Sequence, residues 1–88
     1  MTHYLKVWPG SFEAIQVGKK RHEIRDTSDR VFTEGDSVVL QEWEPEVKEY
    51  GPTGNGHYTG RAILRTITYV SKAGSWGLPP NLCVFSIR

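Results

Sequence analysis

Eighty-eight residues make one domain, 1–88, which can hide only about 60–65% of its extended surface, so its stability is marginal. The lone cysteine, Cys83, excludes a disulfide scaffold, no apolar run nears the roughly 20 residues of a membrane span, and His3, His22, His57 and Cys83 lack the spacing of a structural metal site. The net charge of +1 divides into seven cations and ten acids over residues 1–49 and four cations without an acid over 50–88; this excludes strong non-specific binding to long nucleic acid but allows a basic face suited to a short strand or a nucleotide.

Residues 3–8 alternate Leu5 and Val7 with Tyr4, Lys6 and Trp8, the period of a strand, which Pro9 ends. Pro9-Gly10-Ser11 then opens a short helix between residues 9 and 18. Ser11 is its candidate N-cap, Phe12 and Ile15 lie on its core side, and Gly18 ends it. Residues 20–25 read as a second strand, with His22 and Ile24 on one face and Glu23 and Arg25 on the other. Glu34-Gly35-Asp36 is a turn before a strand over 37–43, whose inward pair is Val38 and Leu40. The stretch 44–57, with Pro45, Gly51, Pro52, Gly54 and Gly56, reads as a long loop with a hairpin-type turn at Asn55-Gly56. A strand over 58–70 follows, and its apolar residues fall on both faces, which calls for a bulge or strong curvature. Residues 71–80 form a second loop, and 82–87 a closing apolar strand. The expected core is Leu5, Val7, Phe12, Ile15, Ile24, Val38, Leu40, Leu64, Val84 and Phe85.

Five or six short strands with one or two short helices define a mainly β, α+β domain, and turn residues at the junctions point to a small β-barrel. The densest charge lies in Gly18-Lys19-Lys20-Arg21-His22-Glu23-Ile24-Arg25, four cations and one carboxylate in eight residues. Its spacing Gly-x-Lys-x-x-Glu-x-Arg, met by Gly18, Lys20, Glu23 and Arg25, resembles the signature of the ASCH domains, relatives of the RNA-binding PUA fold. The resemblance extends over His3 to Pro9, Phe12 to Gly18, Gly35-Asp36 with Val38 to Glu42, and Tyr58-Thr59-Gly60-Arg61. It is nearest to the small single-domain bacterial and phage members. The resemblance implies a PUA-like barrel with a helix packed at one opening, and an RNA or nucleotide cleft lined by the motif.

Lys20 can meet a phosphate as a compact charge, Arg25 can clasp a phosphate or a base edge with its planar fork, and Glu23 can accept from a base amino group. Each has a plainer use as a solvated charge or an ion pair, Arg25 with Glu23, Asp26 or Asp29. Trp8, Tyr58 and Trp76 offer rings on which a base can stack, or bury themselves as core. Arg61 and Arg65 share one face of the long strand and can track a backbone. The expected ligand site is therefore Lys20, Glu23 and Arg25, with Trp8, Lys6, Tyr58 and Arg61 around them, and with no metal and no cofactor.

The expected function is an RNA- or nucleotide-binding module rather than an enzyme. Its expected location is the cytoplasm, since Cys83 sits reduced in an apolar run and Met1 to Lys6 has no signal-like pattern. One alternative is a small hydrolase of RNA or modified nucleosides, a ribonuclease or an N4-acylcytidine amidohydrolase-like enzyme, with Lys20 and Glu23 catalytic. The amidohydrolase relatives use a lysine, a threonine three residues on and a distant acid. Lys20 matches the lysine, but Glu23 stands at the threonine position and no acid follows Glu49. The other alternative is a bacterial or phage regulator that presents the acidic segment 42–49 to a protein partner.

Overall fold

The computed structural model describes residues 1–88. Its elements are β1 (Thr2–Val7), α1 (Pro9–Gln16), β2 (His22–Asp26), β3 (Ser37–Lys48), β4 (Gly51–Ser71), a one-turn 3-10 helix (Ser75–Gly77) and β5 (Leu82–Ile87). The domain is mainly β with one short α-helix, as the sequence indicates. All five strands join one mixed sheet in the order β1-β3-β4-β5-β2. β1 runs parallel to β3, and the other pairs are antiparallel. No helix is long and apolar enough to cross a membrane.

The expected barrel does not close. β1 and β2 are the two edges of the sheet and do not pair. The chain leaving β1 turns at once into α1, which packs against β3 and occupies the space beside the seam. One side chain crosses that seam: Arg25 Nη2 donates to the Lys6 carbonyl at 2.8 Å.

Helix α1 starts as its sequence dictates, with Pro9 in the first turn, where a missing N–H breaks no intrahelical bond. The residue before it, Trp8, is the N-cap, without a side-chain cap; Ser11 lies inside the first turn and caps nothing. At the other end Gly18 takes a φ of 81°, a left-handed conformation that suits glycine, and its N–H returns to the Ile15 carbonyl.

Leu5, Val7, Phe12, Ile15, Val38, Leu40 and Phe85 are buried as expected, Val84 is half-buried, and Phe32, Ile67, Cys83 and Ile87 complete the core. Two expected core residues face solvent, Ile24 at 55% and Leu64 at 65% exposure. In β2 the inward face carries Glu23 and Arg25, so Ile24 points out. In β4 the inward residues are Ile63 and Ile67, and a bulge between Ile67 and Tyr69 then switches the parity to Val70. The extra residue, Thr68, thus brings Val70 to the core side, while Leu64, ahead of the bulge, stays on the outer face.

The segment 44–57 is not a loop. β3 and β4 continue outward as a hairpin arm that pairs Trp43 with Tyr58, Glu44 with His57, Pro45 with Gly56, and Lys48 with Gly51. A register shift between Pro45 and Val47 accommodates the proline, so Asn55-Gly56 lies in the strand and the turn falls at residues 49–50. Gly56 is required by close approach: a Cβ there would lie 2.6 Å from the Trp43 ring and would strike the Glu44 carbonyl. Gly56→Val should therefore unseat Trp43 and cost about 1–3 kcal/mol. An unchanged urea midpoint would show that the arm contributes nothing to global stability.

Candidate functional site

Glu23, Arg25 and Lys20 reach one point from two local structures. β2 turns Glu23 and Arg25 inward, and Lys20 lies in the turn that precedes the strand, outside its alternation. Strand parity alone separates Lys20 from the other two; the turn brings it back. Lys20 Nζ stands 3.2 Å from Glu23 Oε1, and Arg25 Nε donates to Glu23 Oε2 at 3.1 Å. Lys20 Nζ also donates to Ser11 Oγ at 3.2 Å, from the first turn of α1. The cluster thus sits where α1, the end of β1 and β2 meet, beside the open seam.

Glu23 is only 4% exposed. Its Oε1 is buried without any hydrogen-bond partner, because the Lys20 ammonium lies close but off the hydrogen-bonding direction. The two cations keep about a quarter of their side-chain surface, 26% for Lys20 and 23% for Arg25. A buried carboxylate thus holds two largely buried cations beside the seam.

The remaining expected residues divide. Trp8 is half exposed at the start of α1, two residues beyond the Lys6 carbonyl that holds Arg25. Lys6 contributes that carbonyl, but its ammonium lies 4.1 Å over the Trp43 ring, toward the arm. Tyr58 is exposed and stands opposite Trp43 in the arm, outside the cluster. Trp76 is exposed on the 3-10 turn.

Arg61 belongs to a second, fully satisfied cluster. Its Nε and Nη2 both donate to the buried Glu42 at 3.0 Å, Thr59 donates to the same carboxylate at 2.7 Å, and Glu13 lies 3.4 Å away. The Arg61 guanidinium also covers the Phe12 ring at 4.6 Å. Arg61, followed by Thr59, holds the Glu42 carboxyl below its ordinary range. Every charge here has a partner within the chain, so this cluster fastens α1 to β3 and β4.

A third polar group ties β1 to the turn before β3. His3 Nε2 lies 2.8 Å from Asp36 Oδ2, and the Met1 ammonium donates to Oδ1 at 3.2 Å. The His3 hydrogen bond is the main cause that lowers the Asp36 carboxyl. Sequence alternation carried a signal for both buried groups: His3 shares its face with Leu5 and Val7, and Glu42 shares its face with Val38 and Leu40.

Asp36 and Glu42 are both depressed in the folded state, so each contributes stability that is complete above the unfolded carboxylate range, near pH 4, and is lost as pH falls through the lower folded value. The melting temperature should hold between about pH 7 and pH 5 and drop steeply toward about pH 2.5. Asp36→Asn should flatten that fall. A profile equally steep in the variant would remove Asp36 as a source.

The largest cavity, about 670 Å³, lies elsewhere, between residues 27–34 and 69–73. Its lining is mainly apolar, and Glu34 and Lys72 are its only charged residues. Cys83 is in its wall, with a thiol pushed up by burial, the opposite of an activated nucleophile.

The fold and the cluster define a small α+β domain with a Lys20–Glu23–Arg25 ion-pair group beside the open seam of its sheet, outside the two cavities except for Lys20. The chain belongs to the family described as "domain of unknown function (DUF3850)", whose pattern it matches over residues 2–87. It is also similar to the "uncharacterized 12.9 kDa protein in GpA 3'region" of Escherichia phage P2, with 32% identity over 74 residues. That similarity covers 84% of this chain and 58% of the phage protein, so the chain spans less than two thirds of the relative's length.

Proposed function

We propose that this chain is an RNA- or nucleotide-binding module of the ASCH, PUA-like kind, with its ligand seated on Lys20 and Arg25 beside the start of α1. The observation that carries this reading is the burial of Glu23 between the two cations with one oxygen left unsatisfied. Such a carboxylate is costly to keep in a small domain and is seldom the most stable choice. What it does is fix the direction of two cations. Lys20 has three N–H donors and Arg25 five, and Ser11, Glu23 and the Lys6 carbonyl engage only part of that set. The remaining donors suit a phosphate or the acceptor edge of a base. Trp8 supplies a half-exposed ring at the same end of the helix. The Gly18, Lys20, Glu23, Arg25 spacing shared with ASCH domains supports the same reading.

Binding is the whole activity in this proposal; the chain leaves RNA intact and N4-acetylcytidine acylated. The test is a tryptophan-fluorescence titration with uridine monophosphate and with a short oligouridylate. Saturable binding is expected, weakened about tenfold or more by Lys20→Gln and by Arg25→Gln, and unaffected by Tyr58→Ala. Wild-type affinity in both charge variants would sink the proposal, as would a wild-type protein that binds neither probe. Turnover lost with Lys20→Gln would replace it with the hydrolase reading.

A further inference from the structure

A second groove, about 580 Å³, opens on the far side of Lys20, between the C-terminal end of α1 and the sheet. Ile15 and Ile87 line it, and its charged residues are Lys20, Arg21, Arg65 and Arg88, with no acid among them. Three elements bring the arginines together. Arg21 precedes β2, and its carbonyl accepts the Ile87 N–H at 2.9 Å. Arg88 follows Ile87 and exchanges both backbone hydrogen bonds with Thr66, the neighbour of Arg65, so it borders the groove at its rim, on the Thr66 face of the sheet. Arg65 has the parity of Ile63 and Ile67, which aims it at the helix side of β4 and not at the outer face.

These three arginines have no carboxylate partner. Arg21 Nε donates to the Gly18 carbonyl and Arg65 Nη1 to the Leu64 carbonyl, both neutral acceptors, whereas Arg25 and Arg61 are each ion-paired. Thr68, the extra residue of the β4 bulge, and Ser86 also line the groove; Ser86 alternates with buried Phe85 and Ile87, so it borders the groove through its backbone while its side chain lies on the outer face. Unpaired arginines around an apolar floor, with no acid to neutralise them, suit the oxygens of successive phosphates.

We propose that this groove is a phosphate-binding subsite that takes the sugar–phosphate backbone of a single strand as it leaves the nucleotide held at Lys20 and Arg25. The proposal rests on the nucleotide-binding reading above, and Lys20 joins the two places: its ammonium lies in the Glu23 cluster and its residue lines the groove. The Lys20 and Arg25 pair selects the nucleotide, and the groove supplies affinity and direction to the strand without reading its sequence.

The test uses the wild-type protein and the variant Arg21→Gln, Arg65→Gln, Arg88→Gln, none of which touches Glu23. Amide NMR spectra are followed during titration with a short oligouridylate and, separately, with tripolyphosphate. The oligouridylate should shift the Thr68 and Ser86 amides, and the triple variant should bind it about tenfold or more weakly, with a salt slope shallower by about 2, the loss of three phosphate contacts on a single strand. Affinity for uridine monophosphate should change far less. An unchanged salt slope, or shifts that avoid Thr68 and Ser86, would overturn the subsite while leaving the Lys20 and Arg25 pair standing. If the wild type binds no oligouridylate, the nucleotide reading fails, and tripolyphosphate then decides the groove alone. Saturable shifts at Thr68 and Ser86, lost in the triple variant, would keep it as a phosphate site; their absence would reject it.

Discussion

Phe12→Ala should leave the domain largely unfolded at physiological temperature. Phe12 is 1% exposed on the buried face of α1, and the Arg61 guanidinium lies over its ring. Truncating a buried phenylalanine costs about 3–5 kcal/mol, and a chain of this length holds on the order of 5–10 kcal/mol in total. The loss compounds, because α1 also presents Ser11 to Lys20 and Glu13 to Arg61. Urea unfolding should show a much lower midpoint with the same slope. A cost below about 1 kcal/mol would mean that the helix docks through other contacts.

Removing both cations of the Glu23 cluster should be nearly as damaging. Lys20→Met with Arg25→Met strands the buried Glu23 carboxylate, which costs about 3 kcal/mol, the low end for an orphaned buried charge because both partners keep some solvent contact. Adding Glu23→Leu should restore wild-type stability or exceed it, since an apolar replacement of a buried ionic group is often neutral or stabilising. Under the binding proposal, the same triple variant should bind no uridine monophosphate. If Glu23→Leu gives no rescue, the cost lies in the lost Arg25 bridge to Lys6 and not in the stranded charge.

Much of this architecture was legible in the sequence. Strict alternation exposed β1, β3 and β5, and Pro9 and Gly18 bracketed α1, because these elements have one wet and one dry face or an obligatory backbone conformation. Legibility failed where a residue serves something other than the core. Ile24 was assigned inward as the apolar member of β2, but Glu23 and Arg25, paired with each other, occupy that face. Leu64 was assigned inward, but Ile63 and Ile67 hold the inward parity there and the Thr68 bulge passes it to even-numbered Val70 only downstream; a bulge has no reliable sequence mark. The arm was read as a loop because glycine and proline usually end strands; here Gly56 clears the Trp43 ring and Pro45 sits at a register shift. The meeting of Lys20, Glu23 and Arg25 followed from the motif and a bend at residue 20, whereas the commitment of Arg61 to Glu42 depends on a contact between distant strands.

The strand order also fixes how the chain must fold. β3–β4 and β4–β5 join neighbours in the chain; β1 waits for β3, and β2 finds its partner in β5, some sixty residues on. Ladders between distant segments form only after long loops have closed, which places such topologies among millisecond-to-second folders. The arm hairpin should order first and the β2–β5 ladder last. On the ribosome, β2 therefore stays unpaired, with Glu23 and both its cations in water, until residues 82–87 emerge. A chain stalled before Leu82 exposes an open strand edge and half a core, the form most exposed to aggregation and proteolysis.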